Sequence, residues 1–298
     1  MYSYRNSIKS DKSDELINTY LIRPIASIIV WALYGTTVTP NQVTGLSIIS
    51  GIISALFYLN GTASAFIAAG LLMTFKDILD SADGQLARAK QLQSRTGRFL
   101  DSIGDFIVDV AVFGSIGWVL YTLNNDWWML MLAVLGLIGI TLRVSYHVFY
   151  QVHFLHLQEQ YKNNRILEEV LEEDVKKGGF ELVLQRIFQI IYGWQDQLIA
   201  RIDDWCLNKS CQQFLKTEQK ERLANYEGWY SDTAALRISG LLGFGTELFL
   251  LMLCSIVNKL ELYLYLNLFL MNGILLLCIL YRRFFLSARC CVEKDIQH

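Results

Sequence analysis

Six stretches of this 298-residue chain, 42–59, 63–85, 97–122, 127–150, 234–257 and 261–284, are apolar over the length of a bilayer-crossing helix. Hydrocarbon offers no partner to a free N–H or C=O, so segments of this kind must close their own hydrogen bonds as helices. Composition agrees: 53% of residues are hydrophobic and only two are proline, and mean hydropathy is +0.31. The formal charge of −2 gives no basic surface for a nucleic-acid partner. The pattern predicts an all-α membrane protein with six transmembrane helices.

Residues 13–34 read differently. Ile17, Leu21, Ile25, Ile28, Ile29 and Ala32 recur at helical spacing, while Asp14, Glu15, Asn18 and Arg23 interrupt any run long enough to span. Pro24 would kink a spanning helix but suits one lying in the interface. An N-terminal interfacial amphipathic helix is expected here. The turns at 60–62, 124–126 and 258–259 are almost free of positive charge, whereas Arg88, Lys90, Arg95, Arg98, Arg282, Arg283, Arg289 and Lys294 gather at the opposite ends. The positive-inside rule therefore puts both termini and the loop after the second span on the cytoplasmic side of a multi-pass protein.

Between spans 4 and 5, residues 151–231 are too polar to cross and read as a cytoplasmic helical insertion, packed on itself or on the membrane surface. Leu184, Ile187, Phe188, Ile191, Trp194, Leu198, Ile202 and Trp205 mark one apolar face, with Gln185, Arg186, Gln189, Asp196 and Arg201 opposite. The acidic run Glu168, Glu169, Glu172, Glu173 and Asp174 reads as a solvated helix face. The chain thus divides into 1–150, with the interfacial helix and spans 1–4, the insertion at 151–231, and 232–298 with spans 5 and 6. None of the six cysteines has metal-type spacing; Cys254 and Cys278 are apolar fillers of spans, and Cys206, Cys211, Cys290 and Cys291 belong to the cytoplasmic side.

The chemistry lies in DSADGQLARAKQLQSRTGRFLDSIGD, residues 80–105. Asp80 and Asp83 share one helical face, Asp101 and Asp105 another, and the polar stretch 89–96 suits a turn that would bring the two faces together. A pair of carboxylates about 5 Å apart repels by roughly 3 kcal/mol at an effective dielectric of about 20, so four cannot stay ionised alone. Either some take protons or divalent cations lie between them. All-oxygen ligation favours Mg²⁺ or Mn²⁺, and two bridged ions are a known clamp for a phosphoryl group. Arg88 could hold a phosphate oxygen, and Gly84 would admit a ligand close to the backbone. A bland alternative is a set of ion-paired helix ends at the membrane surface.

Asp80, Asp83, Gly84, Ala87, Arg88, Gly97, Asp101 and Asp105 match D-x2-D-G-x2-A-R-x8-G-x3-D-x3-D without a departure. The chain resembles the CDP-alcohol phosphatidyltransferases, integral membrane enzymes of phospholipid synthesis; the likeness extends to Thr39–Thr44 (TPNQVT) and covers about residues 13–150. The resemblance implies transfer of a phosphatidyl group from a CDP-linked lipid, most often CDP-diacylglycerol, to an alcohol acceptor with release of CMP. It implies two Mg²⁺ or Mn²⁺ ions held by Asp80, Asp83, Asp101 and Asp105, with Asp105 also the general base. Gly84, Arg88, Ser94, Asn41 and Thr44 would contact the cytidine diphosphate, and Ala87 is small so as not to crowd it. A homodimer is compatible with it.

Other charges fall inside the spans, where burial is costly. Lys76, one turn before Asp80, would pair with it along the helix, and Asp77 and Asp109 would support the cluster from outside or form ion pairs. Arg143 and Arg237 either snorkel to head groups or make a cationic acceptor pocket, which would favour an anionic acceptor. Glu247 reads as the cap of a polar contact between close-packed helices. Two rivals explain less. A cation transporter would use the aspartates but leaves Gly84, Ala87, Arg88 and Gly97 without a role. An isoprenoid synthase would carry DDxxD-type clusters, absent here. A CDP-choline or CDP-ethanolamine donor with diacylglycerol or ceramide as acceptor is the alternative within the family.

Overall fold

The computed structural model describes residues 15–158, 168–207 and 227–288, and every regular element among them is helical. Asp14, Cys211, Arg289, Cys290, Cys291 and Lys294 lie outside the described residues. A short π-type turn at Asn18–Ile22 runs directly into α1 (Arg23–Tyr34). Four long helices follow: α2 (Pro40–Leu59), α3 (Ala63–Lys90), α4 (Arg95–Asn124) and α5 (Trp127–Leu157). The insertion supplies α6 (Glu172–Lys177), α7 (Gly179–Phe188) and α8 (Trp194–Cys206), the last two joined through a π-type turn at Gln189–Gly193. After α9 (Glu227–Ser231) come α10 (Thr233–Gly240) and α11 (Phe244–Ile256). The last stretch, from α12 (Leu260–Tyr265) through α13 (Asn272–Leu280) to Leu286, is continuous apart from π-type turns.

Among the described residues, five stretches are long and apolar enough to cross a membrane: Pro40–Leu59, Arg95–Asn124, Trp127–Leu157, Thr233–Ile256 and Leu260–Leu286. The remaining long helix, α3, is 28 residues long, but Lys76, Asp77, Asp80 and Asp83 load its inner half with charge.

Local chemistry sets the helix ends. Thr39 and Gln42 form a reciprocal capping box before α2, with Pro40 at the first helical position. Thr62, Ser94 and Asp126 cap α3, α4 and α5 with side-chain oxygens. The polar stretch 89–96 holds the turn, which is confined to residues 91–94. Gln91 adopts the left-handed conformation that ends α3, and Ser94 restarts the chain as α4. A tight hairpin of two long helices results.

Small residues let α2 lie close to this hairpin. Ser47, Ser50 and Ser54 donate to the carbonyls of Lys76, Leu72 and Ala69 at 3.0, 3.1 and 2.8 Å, a polar seam along α3. On the other side, a Cβ at Gly51 would collide with Val108, and one at Gly104 with Ile48. The main core gathers Tyr58, Met73, Val112, Ile116, Leu132 and Leu251 from five helices. On α1, Ala26 and Val30 are buried against Leu79, Ala82 and Leu86 of α3, while Ile28 and Trp31, and Tyr20 in the preceding turn, face outward.

The stretch Thr233–Ile256 is broken at 241–243, which leaves the first N–H groups of α11 without helical partners. Glu15 takes them: its Oε2 accepts from Gly245 N at 2.8 Å and Thr246 N at 3.3 Å. A Cβ on Gly243 would overlap that carboxylate. Glu15 thus interrupts the N-terminal apolar run because it is a cap for a distant helix.

The insertion packs on itself and on the long helices: the Gln185 and Gln189 amides donate to Glu169 O and Glu168 O at 3.1 and 3.0 Å. Phe188 packs on Phe99 of α4, the Tyr192 hydroxyl donates to Ser102 O at 2.9 Å, and the Gln195 carbonyl oxygen accepts from Ser145 on α5 at 2.8 Å. Buried Asp203 accepts from Tyr150, Trp229 and Tyr230 at 2.8, 2.7 and 2.9 Å. Nor is the acidic run simply solvated. Arg95 pairs with Glu168, Asp174 and Glu181, and Arg98 pairs with Glu168.

Candidate metal and phosphate site

The α3–α4 hairpin carries the four aspartates inward from its tight turn. Asp80 on α3 and Asp101 and Asp105 on α4 each present an oxygen within 4.8 Å of the others. Asp80 Oδ1 and Asp101 Oδ1 are buried without a hydrogen-bond partner. Buried carboxylate oxygens rarely stay unpartnered. Three converging hard donors with two orphaned oxygens fit a divalent cation, and their all-oxygen chemistry suits Mg²⁺ or Mn²⁺ better than zinc. Asp83, on the same face as Asp80, accepts a hydrogen bond from the Thr44 hydroxyl, which ties the first turns of α2 to the cluster.

One cation of the chain already belongs to this site. Lys76, fully buried, pairs with Asp105 Oδ1 across the hairpin and not with Asp80 along its own helix. Its ammonium also lies 4.9 Å from the centre of the Phe244 ring at the start of α11. Counting outward from the turn in an antiparallel hairpin puts Lys76 level with the Asp105–Asp109 turn of α4, a signal that single-helix spacing hides. Asp77 and Asp109 are buried on either side of this pair.

The rest of the motif lines the outer part of the hairpin. The Arg88 guanidinium folds back over Gly84, with Nη1 3.4 Å from where a Cβ would stand. Ser94 Oγ accepts from Gly97 N at 3.0 Å. Asn41 Oδ1 and Ser94 Oγ both lie 3.0 Å from the Cβ position of Gly97, so a side chain there would press into them. Asn41, Thr44, Ser94 and Gly97 therefore form one edge, and Ala87 is half-buried on the neighbouring face of α3. A separate cleft of about 870 Å³ opens between residues 34–39 and 89–92; none of the four aspartates lines it.

Arg143 and Arg237 do not make a common pocket. Arg143 is fully buried and pairs with Glu247; its Nη1 donates to Asn267 O and Asn272 Oδ1, both at 3.0 Å. Asn267 Nδ2 completes the network on Glu247 Oε2 at 3.1 Å. Arg237 is exposed on α10. Snorkelling fails for Arg143 too, because its counter-charge lies on the broken helix. His147 and His153 are buried on α5, where His153 stacks on Tyr230 at 4.5 Å between ring centres.

Residues 37–156 match the family model for CDP-alcohol phosphatidyltransferase. A protein of Thermococcus kodakarensis named bifunctional IPC transferase and DIPP synthase is 37% identical over 142 residues, covering 48% of this chain and 31% of its own. The protein of the same name from Archaeoglobus fulgidus is 41% identical over 98 residues, 32% of this chain and 19% of that one. An uncharacterized protein of Aquifex aeolicus is 37% identical over 111 residues, 37% of this chain and 53% of its own length. The chain spans less than a third of the length of the two named relatives.

Proposed function

We propose, from the CDP-alcohol phosphatidyltransferase domain at residues 37–156, that this chain transfers a substituted phosphate from a CDP-linked lipid, CDP-diacylglycerol in the first instance, to an alcohol and releases CMP. The observation that carries the reading is the convergence of Asp80, Asp101 and Asp105 with two orphaned buried oxygens, inside a hairpin that also presents Gly84 and Arg88. Asp80, Asp83, Asp101 and Asp105 would hold two Mg²⁺ or Mn²⁺ ions. When bound, they supply positive charge that neutralises the donor's diphosphate.

The chain's own groups do the rest. Gly84 leaves room for the diphosphate against α3, and Arg88 donates to its oxygens. Asn41, Thr44 and Ser94 border the nucleotide, and Ala87 keeps its face clear. Asp105 has one oxygen on Lys76, which leaves the other to take the acceptor's hydroxyl proton. The acceptor oxygen then bonds to the lipid-side phosphorus as the bond from that phosphorus to CMP breaks, and CMP leaves with the electron pair. The names of the relatives, a transferase and a synthase, support this class of reaction.

We infer six spans, with α3 as the second, because its charged half faces α4 and not lipid. The clustered Arg88, Lys90, Arg95 and Arg98 support a cytoplasmic site. The division at 1–150, 151–231 and 232–298 is part of the same reading. Purified protein in vesicles, given CDP-diacylglycerol and a panel of alcohols with Mg²⁺ or Mn²⁺, should release CMP and form a new lipid. Release only from CDP-choline or CDP-ethanolamine with diacylglycerol would assign the alternative donor. No CMP release from either donor class refutes the transferase reading.

A further inference from the structure

The rod formed by α7, its π-type turn and α8 presents an apolar row away from the protein. Val183, Ile190, Trp194, Leu198 and Trp205 are 52%, 77%, 50%, 37% and 54% exposed. The opposite side is buried and mixed: Gln185, Gln195 and Asp203 lie there with Leu184, Ile199 and Cys206. A helix lying on a protein in water turns its apolar residues inward and its polar ones outward, whereas this rod carries large apolar residues on both sides.

The level of the rod identifies what covers the row. The turn at 124–126 joins α4 and α5 at the far side, so distance from it measures depth. At about 1.5 Å per residue, Phe106 and Ser102, which meet Tyr192, lie about 27 and 33 Å from Asn124 along α4. Ser145 and Tyr150, which meet Gln195 and Asp203, lie about 27 and 35 Å from Trp127 along α5. Phe99, which meets Phe188, lies about 37 Å out by the same count. A bilayer core is about 30 Å thick, so all these contacts fall at its near boundary.

Orientation follows from the same contacts. From Phe188 to Asp203 the rod is about 22 Å long, yet its contact levels rise and fall within about 10 Å instead of advancing steadily. The rod therefore lies across the helix ends, parallel to the membrane plane. Tryptophans favour this depth, and Arg186 and Arg201 are exposed on the rod, Arg201 between Trp194 and Trp205, with side chains long enough to carry their guanidinium groups out to a head-group layer.

We propose that residues 179–206 are seated in the bilayer interface on the side of the acidic cluster, with Val183, Ile190, Trp194, Leu198 and Trp205 immersed in acyl chains. This rests on α4 and α5 crossing the membrane and is independent of the transferase reading. The rod holds Ser102, next to Asp101, through Tyr192, so the seat is also a wall of the candidate site. No covalent step is involved.

The test uses full-length protein in phosphatidylcholine vesicles containing some phosphatidylglycerol. Photoreactive benzoylphenylalanine replaces Ile190 or Leu198 in the row, and Glu173 or Lys176 as exposed polar controls on α6. Illumination should give phospholipid adducts at 190 and 198 and none at 173 and 176. Equal adduct yields at row and control positions overturn the proposal, as does a chain-to-chain adduct in place of the lipid one, which would assign the row to a second copy. A milder variant guards against misfolding. Trp194→Phe should remove part of the tryptophan emission quenched by phospholipids brominated near the carboxyl end of the acyl chain, and Trp229→Phe, at a buried ring, should not. No difference between these two also overturns it.

Discussion

Arg143 and Glu247 form a pair whose removal has a size that can be worked out from its partners. Both side chains are fully buried. Arg143→Met deletes the Glu247 contact and the two bonds to Asn267 O and Asn272 Oδ1, and leaves the Glu247 carboxylate with Asn267 Nδ2. Breaking a buried pair from one side costs about 3–5 kcal/mol, or roughly a hundredfold to several-thousandfold in the folding equilibrium. Glu247→Gln should cost less, because Arg143 keeps two carbonyl acceptors. The double variant Arg143→Met with Glu247→Met removes both charges, so its loss should fall well below the sum of the single ones. Unfolding measured in lipid bicelles, or by titration with a denaturing detergent, gives all four corners of the cycle. Additive losses would refute the pairing. Unchanged stability in Arg143→Met with a raised KM for the acceptor would restore the acceptor pocket in its place.

Three further outcomes are expected. Asp80→Asn or Asp101→Asn should abolish CMP release at any practical Mg²⁺ concentration and weaken Mn²⁺ binding followed by electron paramagnetic resonance; full turnover in either, or in excess chelator, contradicts the metal site. Asp105→Asn should lower kcat drastically and remove the acidic limb of the pH–rate profile, where wild-type activity falls as the base takes a proton; a variant that keeps a tenth of kcat would put the proton on another group. Glu15→Ala should cost about 1–2 kcal/mol of stability through the lost cap on α11, read from the same unfolding assay; no change there would mean that α11 is capped by other means.

Much of this molecule is decided locally. A long apolar run has no option in hydrocarbon but a helix, so the helical class and the long helices are written in the order of residues. The spacing of Asp80 with Asp83, and of Asp101 with Asp105, is fixed by helix geometry, and Ser94 and Thr39 mark starts that any reader of caps would find. Partners across space are another matter. Lys76 has Asp80 at the right helical spacing, yet its ammonium reaches Asp105, because an antiparallel hairpin puts a second carboxylate nearer than the one on its own helix. Glu15 and Gly245 are 230 positions apart, and no local pattern links a polar residue in one helix to a break in another. Arg143 looks like a snorkelling or substrate-binding cation until the fold brings Glu247 to it.

The insertion shows the limit most clearly. Its periodicity defines an apolar face and a polar one, but not which of them meets the protein. In water the apolar face would be driven inward. Beside a bilayer the outer medium at that depth is itself apolar, so burying Gln185, Gln195 and Asp203 in hydrogen bonds while Ile190 and Trp194 face out becomes the favourable arrangement. The sequence settled that the segment is amphipathic; the level at which α4 and α5 hold the rod decided that Val183, Ile190, Trp194 and Trp205 turn outward while Leu184, Phe188 and Ile199 pack inward.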